Sequence, residues 1–270
     1  MRAAILLLTA KVFLAGNMAQ GHEFWIDPTI YFIDPGGAVV ANLRVGTDFE
    51  GSASSYFPQR FRQFVLAQGE DVAPVDGRIG DRPALNQLPI SEGLNVALYV
   101  TTDSVLTYKE WAKFVAFAMH KDAPWALRQH RERGLPETDF VEAYSRYAKS
   151  LIAVGDGAGQ DRNYGLLTEI VALANPYTDD LDKGLPVQVL YQGEPRRVEQ
   201  LEVYEKAPDG QVTVTRLRTD SEGIATVPVK AGHTYMLDSV VFREPEGTLA
   251  QDRGAVWETL WANLTFAVPE

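Results

Sequence analysis

The tightest constraint on the fold lies near the carboxyl end. Five short runs rich in β-branched and aromatic residues, at 187–191, 201–205, 212–217, 224–229 and 234–241, recur about every ten residues. Asp209-Gly210 and Asp220-Ser221-Glu222-Gly223 supply hairpin turns between them. In a final run, Leu260, Ala262, Leu264, Phe266 and Val268 alternate with Trp261, Asn263 and Thr265. A period of two predicts a strand with one face buried and the other exposed. This spacing predicts an immunoglobulin-like β-sandwich from residue 185 to residue 270.

The first half has the same character with an interruption. Strands are expected at 38–45, 61–68 and 94–101, and Asp34-Pro35-Gly36-Gly37 forms a turn in which proline presets one corner and glycine accepts positive φ at the next. Between about 107 and 152 the period changes: Trp111, Phe114, Val115 and Ala118 share one helical face, with Thr107 and Glu110 as a capping box. A second helix is expected after Asp122, with Pro124 in its first turn and Gly134 as its stop. A third is expected to carry Phe140, Tyr144, Tyr147 and Leu151 on one side. Residues 166–174 return to β character, and the polar, turn-rich segment 175–184 reads as a linker. The expected architecture is mainly β: two immunoglobulin-like β-sandwich domains, 22–180 and 185–270, the first carrying a helical insertion. With 46% hydrophobic and 10% aromatic residues the chain can fill such cores.

The amino terminus reads as an export signal over residues 1–21. Met1-Arg2 is a short basic start, an apolar stretch follows, and Ala19-Gln20-Gly21 offers small residues at the positions a signal peptidase reads. The expected location is periplasmic or secreted, with His22 as the new first residue. Lys11 breaks the apolar stretch below the roughly 18 residues of a membrane span, and no span is expected after cleavage. Cysteine is absent, which excludes disulfides, thiolate metal ligands and a lipid-modified cysteine. Removing Arg2 and Lys11 from 25 basic residues leaves 23 against 36 acidic ones, a net charge of −13 that argues against nucleic acid as a partner.

Nucleophile-elbow, phosphate-loop, dinucleotide and zinc-protease motifs are missing, and the glycine-rich stretch at 155–159 lacks the lysine of a phosphate loop. The distinctive chemistry is at His22. A terminal histidine offers its α-amine and imidazole Nδ1 to one metal, and both nitrogens shed protons near neutral pH. Such donors suit Cu(II), Ni(II), Co(II) and Zn(II). Glu23 and Asp27 could add oxygens, and His233, at a turn before a strand, could add a nitrogen. His120 and His130 are ten residues apart across Pro124 and read as solvated helix residues with no shared site.

The motifs together resemble those of the DUF4198 family. They are His22-Glu23-Phe24-Trp25-Ile26-Asp27-Pro28, Leu43-Arg44-Val45-Gly46 followed by Asp48-Phe49, the run from Tyr144 to Leu151, Asn175-Pro176-Tyr177, and the run from Trp257 to Phe266. The resemblance implies a periplasmic protein associated with nickel or cobalt uptake, non-enzymatic, with the histidine after the signal as a metal ligand and a membrane uptake system as partner. Family members often carry His-Met in the strand before the terminal tryptophan motif, where this chain has Val241-Phe242. Two other readings stand beside it. One is a copper enzyme of the histidine-brace type, as in lytic polysaccharide monooxygenases, with His233 as second histidine; the other is a metal-free sandwich scaffold.

Overall fold

The computed structural model describes residues 21–270. The leader assigned to residues 1–21 lies outside the described residues apart from Gly21. The chain is mainly β. The first half forms β1 (Glu23–Pro28), β2 (Phe32–Ile33), β3 (Val39–Thr47), β4 (Glu50–Ser54), β5 (Phe61–Gln68) and β6 (Asp71–Pro74). Then come β7 (Leu85–Gln87), β8 (Gly93–Thr101), β9 (Ser104–Tyr108), α1 (Trp111–His120), α2 (Pro124–Glu132), β10 (Phe140–Val154) and β11 (Thr168–Ala172). The second half forms β12 (Leu185–Tyr191), β13 (Glu194–Pro195), β14 (Gln200–Lys206), β15 (Val212–Arg218) and β16 (Ile224–Val227). It ends with β17 (Thr234–Arg243), the short α3 (Leu249–Arg253) and β18 (Ala255–Ala267).

Strands from both halves meet in one ten-stranded sheet, ordered β15-β14-β17-β18-β10-β8-β5-β6, with β2 and β9 also paired to β10. Its seam is a parallel pair: β10 and β18 stay in register from Glu142 opposite Trp257 to Ser150 opposite Thr265. Two smaller sheets accompany it, one of β1, β3, β4 and β7, the other of β11, β12, β13 and β16.

Packing shows how the layers stack. Leu94, Val96 and Leu98 of β8 and Leu260, Ala262 and Leu264 of β18 share a core with Val187 and Val189 of β12. The alternate residues of the same sheet, Ala97 and Tyr99 of β8 with Ala148 and Ile152 of β10, pack on Phe24 and Ile26 of β1 and Leu43 of β3. Further along this second face the cover changes to helix, where Phe114 and Phe117 of α1 meet Trp257 and Trp261 of β18 and Phe242 of β17. The central sheet is therefore covered on both sides.

Double burial explains two corrections, and strand pairing a third. The expected third helix, with Phe140, Tyr144, Tyr147 and Leu151, is instead β10. A strand buried on both faces carries apolar residues at odd and even positions, and its spacing then imitates a helix. The final strand does not have one open face, because Trp261, Asn263 and Thr265 are as buried as Leu260 and Leu264. The Thr107–Glu110 capping box does not form, since Thr107 pairs with Val141 in the sheet and Glu110 itself is the N-cap. Both remaining helices stand as expected, α2 with Pro124 in its first turn and Gly134 at φ 66° after its end. The 175–184 segment is turn-rich, and Asn175 at its start is fully buried, its amide donating to Gly157 O and Gly159 O at 2.8 Å each.

Candidate functional site

β1 crosses the helix-side face of the central sheet and turns Glu23 inward. Beneath it the register lines up polar residues on neighbouring strands: Glu202 of β14 opposite Asp238 of β17, and Asp238 opposite Asn263 of β18. Adjacent strands lie about 4.8 Å apart, which makes this row one contiguous patch. Lys121, the C-cap of α1, enters from above, where the helix dipole favours a cation.

The Lys121 ammonium joins three carboxylates, lying 3.0 Å from Asp238 Oδ2 and 3.4 Å from Glu23 Oε1 and donating a short hydrogen bond to Glu202 Oε2. It also sits 4.6 Å from the Trp261 ring centre. Tyr204 OH donates to Glu23 Oε1 at 3.1 Å. The other Glu202 oxygen faces His120 Nε2 at 2.9 Å and Arg216 Nε at 3.3 Å.

These acids do not share one electrostatic fate. Burial pushes the Glu23 carboxyl up to about 7 against the pull of Lys121, and burial likewise raises Asp238. Glu202 is equally buried, but the His120 hydrogen bond and the Lys121 charge outweigh burial and hold it down at about 2. Burial would lower the Lys121 pKa, yet the three acids together raise it above its ordinary value.

Donors and acceptors are left over. Among the described residues, Glu23 Oε2, Asp238 Oδ1, both amide atoms of Asn263, and Arg146 Nε are buried without a hydrogen-bond partner. Buried polar atoms are normally paired, and such a concentration marks a place where something polar belongs. Arg146 donates from Nη2 to His22 O at 2.8 Å, which fixes the entry of β1 beside this patch. Gly21 is tight against Trp261, where a Cβ would come within 2.6 Å of the indole.

The four expected ligands are not brought together. His22 directly precedes β1 and is exposed, and Glu23 belongs to the buried patch. Asp27, at the far end of β1, is ion-paired with Arg44. His233 lies five residues before Asp238, about 16 Å along the strand, with Nδ1 2.9 Å from Glu205 Oε1. Among the described residues no group of three or more His, Asp or Glu side chains is disposed to hold a metal ion.

The helix histidines also differ from expectation. His120 belongs to the Glu202 end of the patch. His130 is fully buried, its Nδ1 accepting from Trp257 Nε1 at 3.0 Å and its Nε2 2.9 Å from Pro136 O, so it is a neutral core histidine whose pKa burial lowers. Sequence reasoning missed Lys121, Arg146, Glu202, Asp238 and Asn263. A signal existed in the charged residue inside an apolar strand run, as with Asp238 among Tyr235, Met236, Leu237 and Val240.

Sheets on both sides of a central sheet, and an incompletely paired ionic patch under the first strand, define a mainly β protein with a polar site at its amino-terminal edge. Among the described residues no helix is long and apolar enough to cross a membrane. The chain belongs to a family described as a domain of unknown function, DUF4198, whose model matches residues 19–242. The matched segment includes Glu23, Lys121, Glu202 and Asp238; β18, with Trp261 and Asn263, lies beyond it. No curated protein matches the sequence.

Proposed function

We propose that this protein is a non-enzymatic, periplasmic binding protein for a divalent transition metal of the nickel or cobalt type, serving a membrane uptake system. His22 is the ligand, through its imidazole and the α-amine that signal cleavage would free. Two nitrogens from one residue need no third side chain, which accommodates the lack of a closed ligand cluster. The observation that supports this reading most is the position of His22: Arg146 clamps its carbonyl at the edge of a patch in which Glu23 Oε2 has no partner. When bound, a metal would supply positive charge there, and Glu23 is the carboxylate placed to answer it. The chain is further read as two immunoglobulin-like sandwich halves that share the central sheet. The alternative reading, a copper histidine-brace enzyme, would need His233 as second histidine, which lies 2.9 Å from Glu205 at the end of β17 away from Asp238.

The test compares three proteins by calorimetry with Ni(II) and Cu(II) at neutral pH: one beginning at His22, one with an extra residue before it, and one carrying His22→Ala. The first is expected to bind most tightly, because the extra residue replaces the amine by an amide. Equal affinities remove His22 from the mechanism and leave the metal-free scaffold reading ahead.

A further inference from the structure

We propose that the cleft between the turn joining α1 to α2 and the loop following β13 binds a small aryl or arylalkyl carboxylate, independently of the site at His22. The cleft has a volume of about 360 Å³, within the range of small-molecule sites, which begins near ~300 Å³. Val240 and Phe242 of β17 line its apolar part, and Trp125 and Tyr191 supply aromatic walls. Trp125 is 40% exposed although large and aromatic, and its ring meets that of Trp257 edge-on (5.9 Å, 70°). An open indole beside an apolar floor suits a flat ring.

Charge decides the rest of the ligand. Arg196 is committed, donating to Ser239 Oγ at 2.8 Å, Glu199 at 2.8 Å and Val240 O at 3.1 Å. Tyr191 OH accepts from Arg243, Asp122 accepts from Arg218, and the Lys121 ammonium belongs to the ionic patch. Arg197 also lines the cleft and is exposed, and among the described residues it makes no ion pair or side-chain hydrogen bond. One uncommitted guanidinium beside an aromatic wall selects an anion, and a carboxylate matches its planar fork.

The backbone is arranged to present that guanidinium. Val198, next to Arg197, has φ 58° and is 61% exposed, a left-handed conformation that a β-branched residue rarely adopts. Strain of this kind persists only where surrounding contacts impose it. Here Arg218 donates from Nη1 to Val198 O at 2.8 Å and from Nη2 to Asp122 Oδ2 at 2.7 Å, tying the two lips of the cleft together. Thr219 Oγ1 donates to Arg196 O at 2.7 Å and accepts from Glu199 N at 2.9 Å. The loop is thus ordered before any ligand arrives, which removes an ordering cost from binding.

Calorimetric titration of the purified chain with 3-phenylpropionate and with its neutral amide tests this. The acid is expected to bind on the order of tenfold tighter than the amide, the size of effect a charge-assisted pair gives. Arg197→Gln should bring the acid down to the level of the amide and leave amide binding unchanged. Trp125→Ala should weaken both, and Arg218→Ala should weaken both while the circular dichroism spectrum is retained. Equal binding of acid and amide, an acid preference that survives Arg197→Gln, or binding of neither probe at millimolar concentration overturns the proposal. Loss of metal binding in the His22→Ala protein with carboxylate binding intact would separate the two sites.

Discussion

Two lysines are buried on opposite faces of the central sheet, and their surroundings differ in completeness. Lys149 of β10 faces the β12 sheet, with Nζ 2.8 and 3.0 Å from the two Asp161 oxygens, 2.9 Å from Glu169 Oε1 and 3.1 Å from Arg162 O. Its acids are held again by backbone: Glu169 accepts from the amides of Tyr164 and Leu166, and Asp161 from that of Ala172. Lys121 faces three acids with little backbone help, and among the described residues leaves more unmatched: an oxygen each of Glu23 and Asp238 and both Asn263 amide atoms, against Asp161 Oδ1 among the acids around Lys149. Local sequence accounts for the contrast. Asp161 and Glu169 lie in or beside one irregular segment whose free amides turn toward them, whereas Glu23, Glu202 and Asp238 project from strands whose amides are already spent on the sheet. A buried ion cluster whose acids are held by backbone amides is a structural fastening; one whose acids project from strands leaves more of its oxygens unmatched.

The largest effect expected from this contrast is on stability. Lys149→Met should cost about 3–5 kcal/mol by leaving Asp161 and Glu169 buried without their cation. Lys121→Met should approach that cost at pH 8 and recover much of it by pH 5, because Glu23 and Asp238 take up protons readily when burial already raises their pKa. Urea denaturation of both variants at the two pH values checks this, and equal pH dependence would erase the distinction.

Two buried asparagines sharpen the comparison at smaller scale. Asn175, whose amide is fully used, should lose about 1–3 kcal/mol on mutation to Ala, since Gly157 O and Gly159 O lose their donor. Asn263→Leu should instead raise stability, by about 1–3 kcal/mol, because a buried amide without partners costs its desolvation on folding and an apolar side chain of similar size does not. Thermal melts of the two variants decide between them.

The last expected effect is a pH slope. Glu23 has a raised pKa in the folded protein, so the native state holds a proton that the unfolded chain releases between about pH 4.5 and 7. Stability from this group therefore rises as pH falls through 7 and is fully present near 4.5. Glu202 has the opposite sign, with stability present above about 4.5 and lost as pH falls toward 2. Glu23→Gln should flatten the stability profile between pH 5 and 7 and leave the acid limb unchanged, as read from urea midpoints across that range.

Local sequence determined what short-range physics controls. Turns at Asp209-Gly210 and Asp220 to Gly223, strands β5, β8 and β14 to β17, and helices α1 and α2 follow from periodicity, glycine and proline, which act within a few residues. His22 and Glu23 stood out for the same reason, being chemically distinctive where they stand. Tertiary structure alone decided that β10 is a strand, because a residue pattern cannot reveal that both faces of a sheet are covered. It alone brought Lys121, Glu202, Asp238 and Asn263 to Glu23 and carried His233 away from it. Those contacts join residues about 80 to 180 positions apart through strand register, and register is fixed by the pairing of whole strands, whose energy no local window contains.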